Sequence, residues 1–82
     1  MNQQWHVYIL RCADETLYTG ITTHLARRLE EHNSSGKGAK YTRARRPVEL
    51  VYSESAENRS EATQREYVIK QMSQVQKIAL IG

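Results

Sequence analysis

Residues 6–21 read HVYILRCADETLYTGI, and this stretch predicts two paired strands. Residues 7–10 form an unbroken apolar run, which is typical of a strand that is covered on both faces. Residues 13–16 are polar and turn-like, and residues 17–21 return to β-favouring side chains, so the two runs predict a β-hairpin. Gly20 lies inside the second run, where a glycine usually marks a bulge or a close approach of backbone or ligand.

The rest of the chain predicts two helices and a third strand. The predicted segments are a helix over 24–33, a flexible connection over 34–38, a basic segment over 39–46 with one short helical turn, a strand over 48–52, a helix from about 58 to 74, and an apolar tail over 77–82 that docks on the domain. Thr22 or Thr23 is expected to cap the first helix, and Asn58 with Glu61 has the form of a capping box for the second. The order β-β-α-β-α predicts an α/β fold in which a small three-stranded sheet is flanked by helices.

The length and the charge distribution restrict the possible functions. A chain of 82 residues is expected to form one domain, residues 1–82, around a single small core. The net charge of +3 is uneven, because no acidic residue lies between His32 and Glu49. The basic residues of that interval are Lys37, Lys40, Arg43, Arg45 and Arg46. Such a block is either a solvated loop or a nucleic-acid-binding surface, and charge alone leaves both interpretations open.

Cysteine usage and hydropathy exclude further classes of protein. Cys12 is the only cysteine, which excludes an intramolecular disulfide and a cysteine-rich zinc site, and it is expected to be a buried small side chain. No apolar run is long enough to span a bilayer, and the polar residues 1–4 do not resemble the start of a signal peptide. The sequence therefore predicts a cytoplasmic protein without a membrane partner.

The first predicted helix carries two polar side chains beside its apolar face, which consists of Leu25, Ala26 and Leu29. At about 100° per residue, Arg28 falls about 60° outside this face and His32 lies nearer its edge. A side chain at such a border is held by packing and can still reach a ligand. The alternative is an arginine whose stem covers the core while its head is solvated, beside a half-buried histidine.

Glu66 occupies a similar border position on the last predicted helix. The apolar arc of that helix is expected to consist of Ala62, Val68, Ile69, Met72 and Val75. A partly desolvated carboxylate there requires a cation. Lys70 can supply it as an i,i+4 ion pair, and a divalent metal ion is the other candidate.

The tyrosines are ordinary strand residues when taken singly, and Tyr8, Tyr18 and Tyr52 fit a core with hydroxyls at its edge. In combination with other residues the tyrosines indicate a functional site. The set consists of Tyr8, the tripeptide Tyr18-Thr19-Gly20, Arg28 ten residues after Tyr18, His32 four residues later, and Glu66 in a late helix. This order resembles the GIY-YIG nuclease superfamily, and in particular its small stand-alone bacterial group (UPF0213-like), whose members carry a Gly-Lys-Gly-Ala-Lys segment like residues 36–40. The chain departs from the motif in two places, with His6 where the leading glycine stands and Thr19 where isoleucine stands.

The resemblance implies a small three-stranded antiparallel sheet flanked by helices, and hydrolysis of DNA phosphodiester bonds with one Mg²⁺ or Mn²⁺ ion. Glu66 would be the only protein ligand of that ion, an arrangement typical of Mg²⁺. Arg28 and the metal would stabilise charge on the phosphate oxygens. Tyr8 or Tyr18 would position or deprotonate the attacking water, and His32 would orient a phosphate oxygen or relay a proton.

DNA is the partner that the resemblance implies, and nothing in the sequence indicates a protein partner. The residues expected to contact the phosphate backbone are Lys37, Lys40, Arg43, Arg45, Arg46 and Lys70. Contacts of this kind are largely independent of sequence, and no base-reading element is evident, so we expect specificity for DNA structure. Two alternatives have the same fold but no catalytic activity. They are a non-catalytic nucleic-acid-binding module and a protein-interaction adaptor.

Overall fold

A computed structural model describes residues 4–34 and 36–82, so residues 1–3 and Ser35, which belongs to the predicted flexible connection, lie outside the described residues. The elements are β1 (Trp5–Arg11), β2 (Leu17–Thr22), α1 (Leu25–Ser34), α2 (Lys40–Arg43), β3 (Glu49–Ala56), α3 (Arg59–Lys70) and α4 (Gln74–Ile81). The predicted turn in the basic segment is therefore a one-turn helix, the last predicted helix ends at Lys70, and most of the predicted apolar tail belongs to α4. No helix in the described part of the chain is long and apolar enough to cross a membrane.

The three strands form one antiparallel sheet in the order β2-β1-β3. The pairing of β1 with β2 places Tyr8 opposite Gly20 and Leu10 opposite Tyr18. β3 pairs with the other edge of β1, and the register shifts between Ile9 and Leu10. The predicted fold class, a small three-stranded antiparallel sheet flanked by helices, is confirmed.

β1 is the central strand, and its alternating side chains enter two parts of the core. The first part includes Val7, Ile9, Ala62 and Ile69. The second includes Tyr8, Leu10, and the half-buried Leu25 and Leu29 of α1. The unbroken apolar run of the sequence thus reflects a strand covered on both faces. This alternation also places Tyr8 on the side of the sheet that α1 covers.

The last predicted helix ends before Ser73, because Ser73 caps a new helix there. The Ser73 side chain accepts from the Gln76 N–H at 3.2 Å, and the Gln76 side chain accepts from the Ser73 N–H at 2.8 Å, which completes a capping box. The predicted apolar arc is wrong in part, because Val75 lies beyond this break and Val68, within α3, lies about 100° from the buried Ile69. Of its members, Ala62 and Ile69 are buried, Met72 is half-buried, and Val68 and Val75 are 47% and 76% exposed.

Other element boundaries differ in detail from the prediction. α1 is capped by His24 instead of Thr22 or Thr23, since His24 Nδ1 accepts from the Arg27 N–H at 3.2 Å. The predicted cap at Asn58 is confirmed, because its side chain accepts from a backbone N–H in the first turn of α3 at 2.9 Å. β3 continues beyond the end of the predicted strand because it pairs with β1 along nearly its whole length.

The Thr19 hydroxyl has no hydrogen-bond partner among the described residues, although Thr19 is only 3% exposed. Valine keeps the branched shape and removes this desolvated hydroxyl, so we expect Thr19→Val to raise the free energy of unfolding by about 1 kcal/mol. Urea unfolding measures the change. Thr16→Val is the control, because the Thr16 hydroxyl donates to Asp14 Oδ1 at 2.6 Å and its removal should give no gain. A Thr19→Val protein less stable than the parent would contradict this account.

Candidate active site

The two predicted tyrosines lie on one face of the hairpin and enclose Gly20. A Cβ atom placed on Gly20 would lie 2.5 Å from Oη and 2.7 Å from Cζ of Tyr8, and 3.2 Å from Cε2 of Tyr18. The Tyr8 phenol therefore crosses directly over the backbone of the opposite strand. The sequence predicts a bulge or a close approach of backbone or ligand at this glycine, whereas the close approach is made by a tyrosine side chain of the same chain.

His32 is completely buried beside the tyrosine pair, whereas the helical wheel predicts a place near the rim of α1. Its Nε2 atom lies 2.8 Å from Tyr8 Oη, and its Nδ1 atom lies 2.9 Å from Thr42 Oγ1. The ring also meets Tyr8 and Tyr18 edge-on, with centroids 5.9 and 5.3 Å away. Burial, reinforced by the positive charge of Arg28, lowers the pKa of His32 to about 4, so its imidazole is neutral at pH 7.

The burial of His32 results from the chain that follows α1. Gly38 packs on the end of that helix so closely that a Cβ atom there would lie 2.6 Å from the Glu31 carbonyl oxygen. α2 then brings the buried Thr42 against the imidazole. Arg46 donates from Nε to the His32 carbonyl at 2.6 Å and so ties the end of the basic segment to α1. A helical wheel drawn for α1 alone does not include these residues and therefore does not predict that His32 is buried.

Arg28 is half-buried and held by several acceptors. Its Nη1 donates to Glu31 Oε1 and to the Lys37 carbonyl, both at 2.9 Å. Burial raises the pKa of Tyr8 to about 12, against the lowering effect of the nearby Arg28 guanidinium. A guanidinium, a protonated phenol and a neutral imidazole therefore meet in one place.

Glu66 reaches the same region from α3, which packs against β1 and β2. It is half-buried, and its Oε2 lies 3.2 Å from Lys70 Nζ, so the predicted i,i+4 ion pair is confirmed. Its negative charge contributes to the raised pKa of Tyr8. Among residues 4–34 and 36–82, no group of three or more His, Cys, Asp and Glu side chains could hold a metal. A single half-buried carboxylate fits an ion that keeps most of its ligands as water, as Mg²⁺ does.

Two residues of α2 belong to the site although the sequence did not single them out. Tyr41 stacks on Tyr18 with ring centroids 5.9 Å apart, and the Arg45 guanidinium lies 3.9 Å from the centre of the Tyr41 ring. Thr42, the next residue, contacts His32. The sequence gives only one signal for these two residues, which is that they follow the Gly-Lys-Gly-Ala-Lys segment. Their contacts with Tyr18 and His32 are not evident from the sequence, because the partners lie far apart along the chain.

The predicted backbone-binding residues have different surroundings. Lys37, Lys40 and Arg43 are exposed. Arg45 and Arg46 are half-buried and make contacts within the protein, since Arg45 Nε donates to Asp14 Oδ2 at 3.0 Å and Arg46 binds the end of α1. Lys70 is exposed on α3, where it pairs with the site carboxylate. Five of the six thus lie on the segment that covers His32, next to the tyrosines.

The chain is similar to one family model and to several known proteins and solved structures. The family model described as the GIY-YIG catalytic domain matches residues 4–79. A UPF0213 protein of Desulfotalea psychrophila is 65% identical over 77 residues, which cover 94% of this chain and 70% of the relative. The NMR structure of a UPF0213 protein of Bacillus halodurans is 45% identical with a TM-score of 0.60, covering 95% of this chain and 82% of the other. The NMR structure of an E. faecalis protein is 46% identical with a TM-score of 0.63, covering 93% and 80%.

These matches extend over nearly the whole described chain, including all four catalytic candidates and Glu66. The GIY-YIG domain is a nuclease fold, and the predicted resemblance is confirmed. This chain therefore belongs to the GIY-YIG family and, within it, to the UPF0213 proteins.

Proposed function

We propose that this protein hydrolyses DNA phosphodiester bonds with one divalent metal ion, Mg²⁺ or Mn²⁺, and recognises DNA structure instead of sequence. The observation that supports this most directly is the meeting of three groups, in which the Tyr8 phenol lies 2.8 Å from the buried His32 and close enough to the Arg28 guanidinium for its pKa to be affected. Phenol, imidazole and guanidinium in one partly enclosed place can together handle a water molecule, a proton and an anionic phosphate.

Arg28 is the residue we assign to the phosphate. Its bonds to Glu31 and the Lys37 carbonyl fix the guanidinium beside Tyr8. A guanidinium held in this way can donate two parallel hydrogen bonds to a phosphate group. Charge that develops on the phosphate oxygens in the transition state would then be stabilised without reorganisation of the side chain.

Tyr8 and His32 are assigned to the attacking water and its proton. Because the pKa of Tyr8 is raised to about 12 and that of His32 is lowered to about 4, the phenol is protonated and the imidazole is neutral at pH 7. Tyr8 is therefore not a free tyrosinate in the resting site, and we assign it to giving its proton to His32 as it takes one up from the water. Because His32 is completely buried, we assign it to this relay instead of to the phosphate. Tyr18 would position the water from the opposite side of Gly20.

Glu66 is the residue we assign to the metal. When bound, the ion would lower the pKa of a coordinated water and neutralise charge on the phosphate. The DNA backbone would then lie along the exposed Lys37, Lys40 and Arg43, with Arg45, Arg46 and Lys70 at the edges of the same surface. These backbone contacts would make binding dependent on salt.

Cleavage of labelled single-stranded, duplex and branched DNA, with and without Mg²⁺ or Mn²⁺, tests the proposal. We expect products only when the metal is present, and we expect Glu66→Gln to return cleavage to the metal-free level. Glu57→Gln, which alters an exposed glutamate before α3, is the matched control and should behave as the parent protein.

Cleavage that continues in Glu66→Gln, or in the presence of a chelator, would contradict the metal assignment. Salt-sensitive binding without cleavage under every metal condition would favour the non-catalytic binding module. Binding no stronger than that of an unrelated protein of the same charge would favour the adaptor.

A further inference from the structure

We propose that Thr42 is a positioning residue of this site, whose hydroxyl holds His32 in the tautomer with the proton on Nδ1. The Nε2 atom is then an acceptor that faces the Tyr8 phenol. The catalytic meaning of this arrangement rests on the proposed nuclease function, but the tautomer itself is a property of the folded chain and is measurable without a substrate.

The position of the Thr42 proton decides the tautomer. Thr42 Oγ1 lies 2.9 Å from the Ala39 carbonyl oxygen, which can only accept, so the single hydroxyl proton points there. The same Oγ1 lies 2.9 Å from His32 Nδ1. With its own proton engaged, Oγ1 accepts from this nitrogen, and Nδ1 therefore carries the imidazole proton. Thr42 and His32 are both completely buried, so water cannot replace either bond at low cost.

The contacts at the other end of the ring agree with this assignment. A neutral imidazole has one proton, and with that proton on Nδ1 the Nε2 atom accepts the Tyr8 O–H at 2.8 Å. In the opposite tautomer, His32 Nε2 would donate to the Tyr8 oxygen, and the Thr42 hydroxyl proton would turn from the Ala39 carbonyl to Nδ1, which would break the Thr42–Ala39 bond. In return, Nδ1 would also accept the Ala39 N–H, but only over a distance of 3.5 Å.

This tautomer allows a balanced transfer of one proton through the site. The attacking water loses a proton to Tyr8 Oη as the phenol gives its own proton to His32 Nε2, so one O–H bond breaks and another forms on the phenol. Hydroxide attacks phosphorus, the bond to the leaving oxygen breaks with its electron pair on that oxygen, and the leaving oxygen takes a proton from solvent water. The resulting imidazolium has protons on both nitrogens, and its Nδ1–H remains bonded to Thr42. The imidazolium later returns its Nε2 proton to the hydroxide so formed in solvent. Without the Thr42 hydroxyl, the imidazole proton would no longer be held on Nδ1, and Nε2 would no longer be fixed as the acceptor for the Tyr8 phenol.

The decisive experiment is nitrogen NMR of protein labelled with ¹⁵N in its histidine rings, in the parent protein, Thr42→Val and Thr42→Ser. His6 and His24 serve as internal references. In the parent and in Thr42→Ser we expect a protonated Nδ1 and an unprotonated Nε2 for His32. In Thr42→Val we expect the proton to move to Nε2 or to divide between the two nitrogens. A parent protein with the proton on Nε2 would overturn the proposal, as would a folded Thr42→Val protein with an unchanged tautomer.

The second experiment measures kcat and KM for cleavage of the DNA substrate that the protein prefers. We expect Thr42→Val to lower kcat about tenfold or more with little change in KM, and Thr42→Ser to restore it. A variant that loses the tautomer and keeps its full kcat would overturn the catalytic role of Thr42. If the parent shows the expected tautomer but cleaves no DNA, the proposed nuclease function is contradicted while the Thr42 assignment stands. If Thr42→Val does not fold, the proposal is still tested by the tautomer of the parent protein and by the cleavage rate of Thr42→Ser.

Discussion

Arg28→Lys is expected to reduce the rate of metal-dependent DNA cleavage by about 100- to 1,000-fold, the range observed when one pre-organised donor to a developing oxyanion is lost. The substitution keeps the positive charge. It removes the planar guanidinium, which here binds Glu31 and the Lys37 carbonyl together beside the Tyr8 phenol. A lysine ammonium is a point charge on a flexible stem and cannot reproduce that fork.

The measurement is a single-turnover cleavage rate at saturating metal, together with a thermal unfolding curve for each protein. Arg27→Lys is the matched control, because Arg27 is the preceding residue on α1 and is exposed. We expect the control to retain the parent rate. A loss of activity in Arg28→Lys that is matched by a loss of folded protein would show a structural role alone, and full activity would refute the assignment of Arg28 to the phosphate.

Gly20→Ala is expected to lower the free energy of unfolding by about 1–3 kcal/mol, the usual cost of overfilling a packed site, and to reduce cleavage with it. The new methyl group would lie 2.5 Å from Tyr8 Oη and 2.7 Å from Tyr8 Cζ, so atoms must move. The ring cannot turn aside freely, because Tyr8 is 2% exposed and is hydrogen-bonded to His32. Displacement of the phenol therefore breaks the Tyr8–His32 bond on which the proposed proton transfer depends.

Urea unfolding of Gly20→Ala is compared with that of Gly36→Ala, where an added Cβ meets no atom within 4 Å. The control should lie close to the parent protein. In a Tyr8→Phe background, the same Gly20→Ala change should cost less, because the nearest clashing atom, Oη, is absent. An equal cost in both backgrounds would mean that the clash with the Tyr8 hydroxyl is not the cause.

Much of the fold could be predicted because its signals are local. The apolar run of β1, the turn and the glycine of β2 lie within one continuous stretch, and their alternation brings Tyr8 and Tyr18 to the same face. The cap at Asn58 and the ion pair of Glu66 with Lys70 are contacts between residues three or four positions apart. Such contacts follow from the geometry of one element and need no knowledge of the rest.

The site could be predicted only where its members lie on such elements. Tyr8, Tyr18, Arg28 and Glu66 were identifiable from motif order and border positions, whereas Tyr41 and Thr42 were not. The break between α3 and α4 was also missed, since a capping box at Ser73 competes with an apolar pattern that continues past it. For Tyr41 and Thr42, the deciding contacts join parts of the chain whose relative placement depends on packing. The capping box is a local contact, and the prediction missed it because the apolar pattern was given more weight.

The amino-acid sequence by itself determined the strands and the family to which the chain belongs, because hydrophobic alternation and motif order act along the chain. The register that pairs Tyr8 with Gly20 came from the structure. The tertiary structure alone decided the protonation state of the site. Gly38 lets the connection lie against the end of α1, and α2 then seals His32 between a phenol and a threonine hydroxyl. Burial and hydrogen-bond direction are properties of all the neighbours of a group, and the neighbours of His32 come from three separate elements.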